Sequence, residues 1–275
     1  MDLAFWMPVM VAGLVGGASS GLLGVYIVGM RIPFLGVCIS HAALAGAVFG
    51  ELAGLTGPLL LLPALAGAVI TALALGLANP HRLGMDSNVL LGILFSATMG
   101  LAFLGIGLFG ILGKSDNNVR NLLWGSLVFC RWADVRWMLV IAAALGVFLV
   151  TFHKEMRAIL FSRVDAAAAG IHVTLVWTGF LVLTAAVLTV NFQTVGGLMI
   201  YSLMTNPAAA AFQLVKGCGR ALALAAILGA VSGLGGFLIA AATDLPSGAM
   251  VVLLSSALVA VAAIIKRLDG RAPFR

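Results

Sequence analysis

Cys38, Ser40 and His41 stand in the stretch 31–50, RIPFLGVCISHAALAGAVFG, a run otherwise made of apolar and small residues. An imidazole can ligate a transition metal or carry a proton. A cysteine three residues before it falls on the same helical face, and thiolate with imidazole is a competent pair for softer metals such as zinc or copper(I). The run continues to Leu55, long enough to cross a bilayer, which sets His41 near the hydrocarbon midplane. Ionisable groups are costly there and as a rule face a bundle interior or a pathway. His41 therefore reads either as a transient ligand in a conduction path or as a buried imidazole hydrogen-bonded to a neighbouring hydroxyl or carbonyl. Cys38 reads either as a ligand or as a small apolar filler. Ser40 beside His41 is no nucleophile dyad, because adjacent residues on a helix point about 100° apart.

A second group of polar residues, Asn191, Gln193, Tyr201, Ser202, Thr205 and Asn206, gathers on and just before the stretch 195–215. That stretch opens with Gly196 and Gly197 and carries Asn206-Pro207 at its middle. A proline there removes one backbone hydrogen bond and clashes with the preceding turn, which predicts a kinked or discontinuous helix. Irregular backbone at membrane depth survives only when buried in protein or lining a cavity. Asn191, Tyr201 and Asn206 accordingly either line a path or satisfy backbone groups that Pro207 frees. Glu51 and Asp244 fall at the ends of spans, where they read as a docking surface for a soluble partner or as solvated loop charges. His81 and His153 read as plain surface residues, and His172 as an interfacial ring.

The elements that must position these residues are membrane spans. Of 275 residues 63% are hydrophobic and 9% charged, and the mean hydropathy is +1.19, whereas a soluble domain is roughly a quarter charged. The pattern predicts an all-α polytopic membrane protein in one domain, residues 1–275, with eight or nine spans. They are 5–28, 31–55, 58–78, 89–112, a short 138–152, 173–190, the interrupted 195–215, 222–242 and 250–265. Residues 122–129 are too short to cross and read as an interfacial or re-entrant helix, with Trp124, Trp132 and Trp137 suiting the boundary. The N-terminal apolar run is too long for a cleaved signal peptide. The net charge of +6 comes without basic runs interleaved with aromatics, which excludes nucleic acid as a partner. Three single cysteines, Cys38, Cys130 and Cys218, form no disulfide or zinc framework.

Nine crossings with an external N-terminus set eleven basic residues on one side: Arg31, Arg82, Lys154, Arg157, Arg163, Lys216, Arg220, Lys266, Arg267, Arg271 and Arg275. Lys114, Arg120, Arg131 and Arg136, four in number, fall on the other. The richer side is cytoplasmic by the positive-inside rule, which predicts N-out, C-in, with the loop 153–171 and the tail 266–275 in the cytoplasm.

Six stretches together resemble the permease subunits of bacterial ATP-binding-cassette importers for zinc, manganese and iron. They are FLGVCISHAALAG, GILFS (92–96), LWGSL (123–127), FSRVDAAAAGI (161–171), VGGLMIYSLMTNPAAAA (195–211) and DLPSGAMVVL (244–253). They occur in the family's order and span most of the chain. The resemblance implies a type II importer fold and a homodimer in the bacterial inner membrane. It also implies a cytoplasmic ATPase on each copy and an extracytoplasmic binding protein that delivers the metal. It assigns ATPase coupling to a short helix in 161–170 that includes Arg163, Asp165, Ala169 and Gly170. Asp165 is expected as its N-cap and Gly170 as its terminator.

Three positions depart from the family pattern. The family commonly has an aspartate one turn before the histidine, where this chain has Val37; a basic residue before the glycine pair is Gln193; and a proline after the histidine motif is Ala45. The resemblance thus implies transport of a divalent metal ion with no permanently bound cofactor and with ATP on the partner, since the chain has no G-x-x-x-x-G-K-[ST]. A permease for a metal chelate or small cofactor is the alternative that the missing carboxylate favours. An intramembrane enzyme stands far behind, because no span carries H-E-x-x-H, G-x-S-x-G or two carboxylates at helical spacing.

Overall fold

The computed structural model describes residues 3–78, 84–114, 130–195 and 197–268. Among them run eleven α-helices: α1 (Leu3–Gly29), α2 (Leu35–Leu52), α3 (Leu61–Leu77), α4 (Ser87–Ile111), α5 (Trp132–Thr151), α6 (His153–Phe161), α7 (Arg163–Ala168), α8 (Val173–Val195), α9 (Gly197–Leu214), α10 (Cys218–Thr243) and α11 (Ser247–Leu268). Eight of them, all but α6, α7 and α9, are long and apolar enough to cross a membrane. α9 is more polar because of Tyr201, Ser202, Thr205 and Asn206, and it lies among the others, against α1, α10 and α11.

Local chemistry sets the helix ends. The Asp86 carboxylate accepts a hydrogen bond from the Asn88 N–H at 2.7 Å, so α4 begins two residues before the first apolar residue of its run. The fifth span is not the short 138–152 expected but 20 residues from Trp132, about 30 Å of helix. The Asp134 carboxylate accepts from the Arg131 N–H at 2.9 Å and starts the helix a turn and a half early. Trp132 and Trp137 therefore sit on this span, both exposed. The interfacial helix expected over 122–129, with Trp124, lies outside the described residues, as do His81 and most of the tail.

Two seams hold the bundle. Along α1, Gly13, Gly17 and Gly21 face Gly233, Gly229 and Ala225 of α10, and a Cβ added to Gly13 would come within 3.0 Å of the Gly233 carbonyl oxygen. Lipid tails are as apolar as leucine, so helices associate in a bilayer by close backbone approach, and small residues every fourth position permit it. α2 takes the centre, against α3, α4, α8 and α9. Its span is 72% buried, the most of the eight, against 17% for α4. Isolated hydroxyls in the spans satisfy themselves on their own helix: Thr184 donates to the Phe180 carbonyl at 2.8 Å and Thr189 to that of Ala185 at 2.7 Å.

Of the kink or discontinuity expected at Asn206-Pro207, the discontinuity is absent. α9 runs from Gly197 to Leu214 with Pro207 inside it. The proline deprives one carbonyl of its N–H partner, but its ring φ suits a helix and its flanks are held: Pro207 and Ala208 are buried, and the Asn206 side chain is tied to α11. Of the glycine pair expected to open this stretch, Gly196 lies outside the described residues; Val195 before it and Gly197 after it are both helical.

Filling the α1/α10 seam should loosen the fold. Gly229→Leu, whose added carbon meets the Gly17 carbonyl, is expected to cost about 1–3 kcal/mol and lower the thermal midpoint in detergent. Gly146→Ala, with open space around it, should leave the midpoint unchanged or slightly raised.

Candidate functional site

His41 lies two turns into α2 and is 8% exposed. Its Nδ1 is 2.9 Å from the Val37 carbonyl oxygen, one turn back on the same helix. A carbonyl can only accept, so Nδ1 carries the proton of this bond, and the lone pair of the tautomer with that bond is on Nε2. This is the orientation in which an imidazole ligates a metal, its second nitrogen steadied by a backbone carbonyl. The ring meets Phe95 of α4 edge to face at 5.0 Å, and Phe95 meets Phe34, at the foot of α2, in the same way at 5.0 Å. The His41 ring thus belongs to the α2/α4 seam.

The other residues expected to line a path have contacts of their own. Cys38 is fully buried within the main apolar cluster, as a small filler would be. The Ser40 hydroxyl is buried without a hydrogen-bond partner, and so is that of Thr205 on α9; Ser40 shares the α2 face of Gly36, which rests on Met204. Asn191 of α8 is buried against α1, its Nδ2 donating to the Gly16 carbonyl at 3.3 Å and to the Ser19 and Ser20 hydroxyls at 3.3 and 3.1 Å. Asn206 donates to Ser255 and Ser256 of α11 at 3.0 and 3.1 Å. Tyr201 is 38% exposed on α9. Three polar positions thus serve three different seams, and among the described residues no three His, Cys, Asp or Glu side chains cluster to hold a metal. One chain offers one imidazole nitrogen, a weak site of the kind a conducting path can use without trapping its cargo.

At the far end of α2, Glu51 is not the surface charge expected of a docking residue: it is buried, 8% exposed. Asp244 is exposed, with φ +54 at the end of α10. Lys114, which no sequence motif marked, bridges the ends of α2 and α4 by donating to the Leu52 carbonyl at 2.8 Å.

The segment between α5 and α8 contains α6 and α7. The N-cap of α7 is Ser162 rather than Asp165: the Ser162 hydroxyl accepts from the Asp165 N–H at 3.2 Å. Asp165 is the third helical residue, where its charge still complements the positive helix terminus. Gly170 ends the helix as expected, with φ +83, and Ala169 is the C-cap. The Gly170 and Ile171 N–H groups return to the Ala167 and Ala166 carbonyls at 3.0 and 3.1 Å, the paired closure that favours glycine here. Phe161 and Val164 are 88% and 76% exposed, an apolar surface on an otherwise polar segment. The Arg163 guanidinium lies 4.2 Å from the centre of the Trp177 ring, while the residue as a whole remains exposed. Sequence reasoning did not pair Arg163 with Trp177; the available signal was a tryptophan one turn inside α8, at the depth where the loop returns.

Comparison with known proteins agrees with this architecture. The family model described as "ABC 3 transport family" matches residues 2–266. The manganese transport system membrane protein MntC of Listeria monocytogenes is 29% identical over 258 residues, 93% of this chain and 89% of that protein. The zinc transport system membrane protein TroC of Treponema pallidum is 30% identical over 247 residues, 86% and 80% of the two chains. Among solved structures, PsaBC from Streptococcus pneumoniae superposes with a TM-score of 0.81 at 22% identity, covering 95% of this chain and 91% of that one. The fold is that of an importer permease.

The bonding of Asn191 marks it as a pin between α8 and α1. Asn191→Ala should lower stability in detergent by about 1 kcal/mol, the usual scale of an interhelical hydrogen bond in a membrane. It should leave zinc or manganese affinity, read by equilibrium dialysis, within twofold of the parent.

Proposed function

The chain belongs to the ABC 3 transport family, and from that membership we propose that it is the transmembrane subunit of an ATP-driven importer of a divalent transition-metal ion. The match over residues 2–266 carries the proposal, since it spans every helix described except the last two residues of α11. Manganese and zinc systems are both represented among the relatives.

In this reading two copies face each other and the cation passes between them. His41 Nε2, left bare by the bond that Nδ1 makes to Val37, replaces one water of the passing ion. A single nitrogen per copy holds the ion loosely enough to release it. Ser40, Cys38, Tyr201 and Asn206 contribute at most walls and weak oxygen contacts. The chain has no nucleotide-binding loop, so a cytoplasmic ATPase supplies the energy and meets the segment 161–170 through Phe161 and Val164. The charge bias of the loops supports an external N-terminus and a cytoplasmic C-terminus in the bacterial inner membrane. A binding protein then delivers the metal on the face that bears Asp244.

The test is metal uptake into proteoliposomes containing this protein with its ATPase and binding protein. His41→Ala should reduce zinc or manganese uptake at least tenfold while the ATPase still co-purifies. Uptake within twofold of the parent would remove His41 from the path.

A further inference from the structure

Arg163 sits among the ends of several spans. Although the residue is exposed as a whole, it lines a crevice together with Leu35 at the start of α2, Leu75 at the end of α3, Leu91 at the start of α4, and Trp177 on α8. About 20 Å³ remains open there, room for roughly one water. The guanidinium lies over the Trp177 ring at 4.2 Å. Trp177 is itself fixed from behind: it stacks on Phe180 at 5.6 Å, and Phe180 meets Tyr26 of α1 edge to face at 5.4 Å. On the other wall, Leu91 is one helical turn from Phe95, the residue against which the His41 ring rests. Arg163 thus lines one crevice together with residues of α2, α4 and α8.

We propose that Arg163 is a positioning residue: stacked on Trp177, its guanidinium keys α7 into the cleft between α2, α4 and α8, so that movement of the 161–170 segment reaches the Phe95 and His41 wall. This rests on the reading that the segment meets an ATPase, and it separates two tasks within it. Phe161 and Val164, both exposed, face the partner. Arg163 faces the membrane domain. A planar guanidinium suits the task better than an ammonium, because it stacks flat on an indole while its edge can donate hydrogen bonds.

Two readouts test the proposal. In the purified full-length protein, hydrogen–deuterium exchange of Arg163→Gln and Trp177→Leu should rise several-fold in both 162–170 and 87–95, with Arg163→Lys between these and the parent. A rise confined to 162–170, or no rise, would overturn the keying. In proteoliposomes with the ATPase, Arg163→Gln should keep the partner bound and hydrolyse ATP within twofold of the parent, while metal moved per ATP falls tenfold or more. Loss of the partner would make Arg163 a docking contact instead, and undiminished metal per ATP would deny it any role; either result overturns the proposal. A parent protein that moves no metal would sink the transport reading, whereas the exchange measurement would still decide whether Arg163 joins the two segments.

Discussion

A ring nitrogen and a carbonyl oxygen 2.9 Å apart, His41 Nδ1 and Val37 O, decide what α2 can do at membrane depth. In hydrocarbon an imidazole cannot leave both nitrogens unpaired without cost, and there is no bulk water to supply a partner. Spending Nδ1 on the chain's own backbone settles the tautomer and leaves Nε2 as the one basic lone pair of the ring. The carbonyl can serve both the helix bond and the ring, having two lone pairs. Position 37 thus contributes through its backbone although its side chain, valine, has no ligand to offer.

That bond is useful only if α2 is kept from lipid, and the rest of the bundle sees to this. Backbone contact between Gly13, Gly17 and Gly21 and the small residues of α10 draws the outer helices together, while α3, α4, α8 and α9 surround α2. Asn191 and Asn206 then tie α8 to α1 and α9 to α11 with bonds of 3.0–3.3 Å. Polar residues in this protein therefore divide by partner. Those bonded to other helices hold the scaffold, and His41 spends its hydrogen bond on its own helix.

The spans and the glycine stop at Gly170 were legible in sequence because each depends on local composition: apolar run length and the need for a positive φ. What was not legible depends on contacts between distant residues. Pro207 signals a break in isolation, yet α9 continues through it because neighbouring helices hold both flanks. Asn191 carries no mark that distinguishes a path-lining amide from an interhelical pin; only the arrival of Ser19 and Ser20 opposite it does. Asp165 and Ser162 are both good caps, and the choice turned on which of them adopts the extended backbone before the helix. Arg163 and Trp177 are 14 positions apart on either side of a turn, and nothing in the spacing announces that one lies on the other.

The central claim is that the His41 ring donates through Nδ1 and keeps Nε2 for a passing cation. Nitrogen-15 NMR of the labelled protein, with His41 assigned by its alanine variant, reads both nitrogens directly as zinc is added. The account predicts Nδ1 protonated throughout, with the Nε2 resonance moving as zinc binds. Nε2 protonated with Nδ1 bare, or a ring indifferent to saturating zinc, would contradict it.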